Sequence, residues 1–292
     1  MKMIELGRAA PSTYLRGLAL PLALAACALA GSAGAQPAPV AGTLEAPTYA
    51  DLVALAEPAA IVAEVTVKDQ ATVPPERAPG LSPGRARLYL EAQAQRVIKG
   101  PGALGESQVY LADVPLTPKG KPPKLKKQTF LVFANPVAGR PGELQLVKPD
   151  AQLASDPALA ERVRTVVGQL AAPGAPPPVT GVRDVISVAG NLAGESETQM
   201  SIETVGGAPG ALTVIRRPNE APKWGVSWSE IVDQSARPPE PGTIAWYRLA
   251  CFLPRQLAPD DFLQADAAGR QRARADYQFV LDSLGPCERT RH

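Results

Sequence analysis

The stretch "ADLVALAEPAAIVAEVTV", residues 50 to 67, changes its period at Pro58. Before the proline, Leu52, Val53, Leu55 and Ala56 recur at helical spacing; after it, residues 60–67 form a β-branched run. The stretch therefore reads as a short helix over 49–57 feeding a strand. Further strands follow at 86–98, where Leu88 and Leu90 alternate with Tyr89 and Glu91, and then at 107–114, 128–134 and 143–147, with turn formers between them. Leu159, Val163, Val166, Val167 and Leu170 then give an amphipathic helix over 161–170 behind Pro157. Five strands and a helix predict a small barrel or sandwich, and an OB-like barrel is the specific expectation.

The next organisational mark is "AAPGAPPP", residues 171–178, a Pro-rich run that acts as a semi-rigid spacer. Beyond it lies a strand over 182–188, and then Thr198, Met200, Ile202 and Thr204 alternate with Glu197, Gln199, Ser201 and Glu203. Strands over 211–217 and 223–232 complete an antiparallel meander, with Trp224, Val226 and Trp228 on one face of the last. Two helices follow, at 243–253 before Pro254 and at 260–284 before Gly285 and Pro286. Ile244, Tyr247 and Cys251 share a face of the first, and Tyr277, Val280, Leu281 and Leu284 share one of the second, so the pair is expected to pack as a hairpin. The predicted class is α+β: an OB-like β domain at 48–171, a linker at 172–180, and a sheet with two C-terminal helices at 181–292.

"ADLVALAEPAAIVAEVTV", "QRVIKGPGALG" at 95–105 and "KKQTFLVFANPV" at 126–137 together resemble a recurrent type of exported bacterial domain. Those domains are similar to the OB barrel of the tissue inhibitors of metalloproteinases. The resemblance covers residues 49–170 and implies a barrel there. That inhibitor family holds a protease zinc with a disulfide-bonded N-terminal cysteine, and the segment contains no cysteine after Cys27, so this mechanism is not carried over.

Residues 1–35 read as a secretory leader: Lys2, Arg8 and Arg16 precede an uncharged apolar run over 17–30, and Ala33-Gly34-Ala35 offers a small-residue cleavage site before Gln36. Residues 36–47 are Pro/Ala-rich and read as a disordered segment. Leu24-Ala25-Ala26-Cys27 also has the form of a lipobox, which would make Cys27 a lipidated N-terminus and the protein a membrane-anchored lipoprotein. Cleavage at Ala35 gives the periplasmic or secreted form, with a membrane contact only if Cys27 carries lipid. Cys251 and Cys287 survive either cut, and two thiols in an oxidising compartment read as one disulfide. A leader ending at Ala35 removes three basic residues and Glu5 from the 30 Lys+Arg and 28 Asp+Glu, which leaves 27 of each. A neutral exported chain lacks the phosphate-neutralising excess that nucleic-acid binding requires, and that class is excluded.

Chemistry has few places to sit. The single histidine is His292, so histidine triads and histidine zinc sites have no residues to use, and no cofactor is implied. Glu195 and Glu197 could serve as paired carboxylates, though a polar turn entering a strand is the simpler reading. Asp260-Asp261 reads as a helix cap. Trp224 and Trp228, with Trp246 and Tyr247, are either a ligand groove shared with Glu195 and Glu197 or the core of the second domain.

"TPKGKPPKLKKQ", residues 117–128, carries Lys119, Lys121, Lys124, Lys126 and Lys127, with no acidic residue between Asp113 and Glu143. It is either a solvated loop that discourages edge-to-edge pairing or a contact for an anionic surface. Two functional classes follow. The first is a non-catalytic module that binds an envelope protein or an anionic surface; the alternative is a periplasmic hydrolase using carboxylates or a Ser/Lys pair, with Ser227 or Ser229 as the nucleophile.

Overall fold

A computed structural model describes residues 46–102, 104–229, 237–263 and 266–291. The leader, Cys27, nearly all of the Pro/Ala-rich segment and His292 lie outside the described residues. Thr48 caps the first helix, α1 (Tyr49–Ala56), and Asp51 returns the bond to the Thr48 backbone. This reciprocal capping box starts the helix where the apolar period begins. After Pro58 the chain enters β1 (Ile61–Thr72), the strand on which the first half closes.

On one side β1 pairs antiparallel with β2 (Arg85–Lys99), and on the other with β4 (Thr129–Pro136). β3 (Ser107–Pro115) continues from β2 and lies parallel to β5 (Glu143–Leu146), which returns to β4. The order β1-β2-β3-β5-β4 thus closes on β1 as a five-stranded, OB-like barrel. Register shifts along β1 against β2 supply the bulges that let a sheet this narrow curl shut. A three-residue strand with no period to betray it, β6 (Gln152–Ala154), adds to the free side of β4. Leu88 and Leu90 of β2, Tyr110 of β3 and Leu131 of β4 fill the apolar cluster, joined by Leu52 and Val53 of α1 and by Leu159 and Val163 of α2 (Pro157–Ala171).

The second half is a meander in the order β10-β9-β8-β7, formed by β7 (Val179–Ala189), β8 (Ser196–Thr204), β9 (Ala211–Arg216) and β10 (Lys223–Ser227). Its inner residues, among them Met200, Leu212, Val214 and Trp224, pack with Leu249 and Leu253 near the end of α3 (Ile244–Phe252) and with Tyr277 and Val280 of α4 (Ala267–Leu284).

Three expectations change. The helix expected from residue 260 begins at Ala267: Pro259–Asp261 form a 3-10 turn in which the Ala258 amide donates to Asp261, and Asp266 is the cap, accepting from Gly269 at 2.6 Å. β10 ends at Ser227 rather than at Val232, which lies outside the described residues. The Ile244 and Tyr247 face of α3 belongs to the barrel cluster rather than facing α4, so α3 is buried on two sides.

Residues 45–292 cluster as one compact unit. Arg248, only 3% exposed, holds Glu57 at the end of α1 with two guanidinium bonds and donates through Nε to the Pro176 carbonyl at 3.0 Å. Cys251 and Cys287 form a disulfide with their Cα atoms 5.0 Å apart. From Cys287 the tail runs back onto α1. Thr48 Oγ1 donates to the Glu288 carbonyl at 2.9 Å, and Asp51 accepts from the Thr290 amide and hydroxyl at 3.1 and 2.8 Å and from the Arg291 amide at 3.3 Å. Among the described residues no helix is long and apolar enough to cross a membrane.

Two predictions follow from the tail. The cysteines are 36 residues apart, so the bridge is expected to stabilise the fold by about 4 kcal/mol in the chain-entropy model. Thermal melting should therefore show reductant lowering the wild-type midpoint to that of Cys251→Ala/Cys287→Ala, whose own midpoint should not move. Burial alone would raise the Asp51 carboxyl, but the hydrogen bonds from Thr48 and Thr290 outweigh it and hold the group below its ordinary range. A carboxyl lowered in the fold contributes its stability above its unfolded pKa and loses it as pH falls through the folded one. Urea unfolding should accordingly find Asp51→Asn weaker than wild type at neutral pH, with the gap closing as the buffer is acidified through that range.

Candidate functional site

The alternation that sends Leu88 and Leu90 inward turns Arg87, Tyr89 and Glu91 outward on β2, and it does the same for Val109, Leu111 and Asp113 around Tyr110 and Ala112 on β3. The antiparallel register sets these residues opposite one another: Arg87 faces Asp113, Tyr89 faces Leu111, and Glu91 faces Val109. β5 extends the face, with Glu143 beside Val109. The β1–β2 connection contributes Pro74 and Arg77, the β4–β5 connection contributes Val137 and Arg140, and Lys148 and Pro149 complete the wall. The result is an open cleft of about 890 Å³.

At one end Arg87 grips Asp113 with two bonds, Nε to Oδ1 at 2.7 Å and Nη2 to Oδ2 at 2.9 Å, while Nη1 donates to the Pro79 carbonyl at 3.1 Å. Asp113 is only 6% exposed, and its backbone carbonyl accepts from Arg85 at 2.7 Å. The hydrogen bond to Asp113 holds the Arg87 guanidinium above its ordinary pKa, and the two-bond pair fixes this end wall. At the centre, Tyr89 and Leu111 are 46% and 47% exposed, a cross-strand apolar pair standing in solvent. Arg140 pairs with Glu143 at 2.8 Å on the rim. The face has the build of a contact platform, with an apolar centre, a fixed polar end and a rim bearing both signs of charge. Among the described residues no three metal-ligating side chains converge.

The residues singled out in the sequence lie elsewhere. Glu195 folds over Gly190 in the β7–β8 turn, where its carboxylate accepts from the Asn191 and Leu192 amides at 3.1 and 3.3 Å. Glu197, on the outer face of the meander, accepts from Gln199 at 2.7 Å. Both line a cleft of about 500 Å³ with Ile215 and Arg217. Ser227 and Ser229 are 3.1 Å apart through their hydroxyls, and Lys223 on the same strand pairs with Glu220 at 2.8 Å.

Trp224 is buried and donates to Ser283 Oγ at 2.8 Å, Trp228 packs against the same apolar cluster, and Trp246 donates to the Leu284 carbonyl at 2.9 Å. Tyr247 is buried with its hydroxyl near Arg289. These aromatics therefore line the interior, while the barrel face displays Tyr89. The signal for Tyr89 was the alternation itself, since a tyrosine and a leucine at outward positions of paired strands are an apolar surface that folding leaves uncovered. Compared with models of protein families and with curated proteins, the chain matches none.

Proposed function

We propose that the protein is a non-catalytic binding module of the periplasm or cell exterior, and that the β2–β3–β5 face of its barrel takes an extended segment of an envelope protein. The observation that carries this reading is the exposed Tyr89–Leu111 pair set in the barrel cleft beside the Arg87–Asp113 pair, whose carboxylate is buried. OB barrels bind ligands across strands 2 and 3 between the first and fourth loops, the same places that form this cleft. Tyrosine is among the residue types that most often carry the energy of an interface, where surrounding contacts exclude water from it. Arg77, Arg140, Lys148 and Glu143 on the walls suit a chain with mixed charge. The disulfide supports an oxidising compartment, and the closed barrel is compatible with the exported OB-like domains that residues 49–170 resemble.

Peptides selected on the wild-type protein from an envelope-derived library should bind Tyr89→Ala/Leu111→Ala about tenfold or more weakly by fluorescence anisotropy, the loss expected for removing a hot spot. Both side chains are half exposed, so the variant's melting midpoint should stay close to wild type. Equal affinity of the selected peptides for the two proteins would reject the face as the binding site.

A further inference from the structure

Lys119, Lys121, Lys124, Lys126 and Lys127 all stand exposed on the β3–β4 connection, and the backbone beneath them is built rather than loose. Its first half is a turn in which Thr117 bonds Lys121 at 2.9 Å through the backbone and at 2.8 Å through the hydroxyl. Its second half is clamped by the Gln70 side chain, which donates to the Pro123 carbonyl at 2.9 Å and accepts from the Leu125 amide at 2.6 Å. Leu125 is buried in the barrel cluster as an anchor. Lys127 takes a φ of 70°, a backbone conformation that lysine seldom adopts, and is tied to the Val67 carbonyl at 2.8 Å.

The lysines do not guard an unpaired edge. β4, which the loop enters, bonds to β1 through Thr129 and to β6 through Phe130, so the pairing that flanking lysines would discourage is already occupied. Nor are they spent on ion pairs: among the described residues only Lys126 has a carboxylate in reach, Asp69 at 3.5 Å, and both of those side chains are well over half exposed. Such a contact is worth little in water. Neither of the two clefts described above includes a residue of the loop, and its large apolar side chains, Leu116 and Leu125, pack against the barrel core. The loop therefore presents point charges at the surface, outside those clefts and with no exposed large apolar side chain of its own to insert into hydrocarbon.

From this geometry we infer that the loop is a peripheral docking surface for the phosphate-bearing headgroups of an anionic membrane, separate from the β2–β3–β5 face. The backbone that carries the lysines is held in place before contact, so little ordering of the loop opposes binding. Attraction is electrostatic and short in range.

The test is co-sedimentation of the full chain carrying Cys27→Ser, which removes any acyl anchor, with vesicles of phosphatidylcholine alone or with about 30 mol% phosphatidylglycerol, a content that sets up an anionic surface potential. The chain should sediment more with the anionic vesicles, and the difference should vanish near 0.5 M salt, where the Debye length is only about 4 Å. The apolar run at 17–30 acts alike on both vesicles, and Lys2, Arg8 and Arg16 of the leader are changed to Gln in every chain tested so that they add nothing to the difference. Each Lys→Gln change should lower the anionic partition coefficient about fivefold, the five together should erase the difference, and the five Lys→Arg changes together should keep it. The inference falls if both vesicles take up the chain equally, or if the five Lys→Gln changes leave partitioning as it was. It also falls if the loop retains the chain on heparin but not on anionic vesicles, which would assign it to a soluble polyanion.

Discussion

A guanidinium taken out of water must find fixed partners, and Arg248 finds them in two parts of the chain far apart in sequence. Glu57 closes α1 just before the barrel begins, and the Pro176 carbonyl lies in the proline-rich run between the barrel helix and the meander. An unpartnered buried charge costs several kcal/mol, so α3 can occupy its place only when both partners are present. That requirement sets where α3 lies. One side of α3 then gives Ile244 and Tyr247 to the barrel cluster and the other gives Leu249 and Leu253 to the meander cluster. The disulfide reinforces the same helix: Cys251 holds Cys287, and the tail beyond it satisfies the carboxylate of Asp51 at the start of α1. Both ends of α1 are thus bound to the C-terminal elements.

How far the fold could be read from the residues depended on whether the information was local. The change of period at Pro58, the alternation in β2 and β8 and the apolar spacing in α2 are local, and each element formed where the pattern lay. The three residues of β6 carry no period. The start of α4 was ambiguous because Asp261 and Asp266 are chemically the same cap, and only the course of the chain decides which of them begins a helix and which closes a 3-10 turn. The face of α3 bearing Ile244 and Tyr247 was visible as apolar, but an apolar stripe states that it is buried and not what buries it. Its assignment to α4 failed for that reason.

The proposed binding face shows the same division. That Tyr89 points outward follows from the two-residue period of β2. That it stands opposite Leu111, with Arg87 opposite Asp113, is a matter of register between strands, and a slip of one residue would have buried Tyr89 and exposed Leu88. The tryptophans attracted notice because they are rare and large, yet size favours the interior, where Trp224 and Trp246 also find acceptors for their indole N–H groups. A modest residue at a position the fold leaves uncovered says more about binding than a prominent one that the fold can bury.

The two proposed surfaces also bear on each other. The loop that carries the lysines and the loop that borders the cleft meet where the Leu116 amide donates to the Gly84 carbonyl at 2.9 Å, which ties the bases of the two loops together. A protein resting on an anionic leaflet searches a thin layer rather than a volume, which raises its effective concentration toward partners in the same membrane without any new contact. Under that arrangement the barrel face can be tuned for selectivity rather than tightness. A rim of mixed charge around a small apolar centre is suited to that division, since paired charges discriminate between partners better than they add affinity.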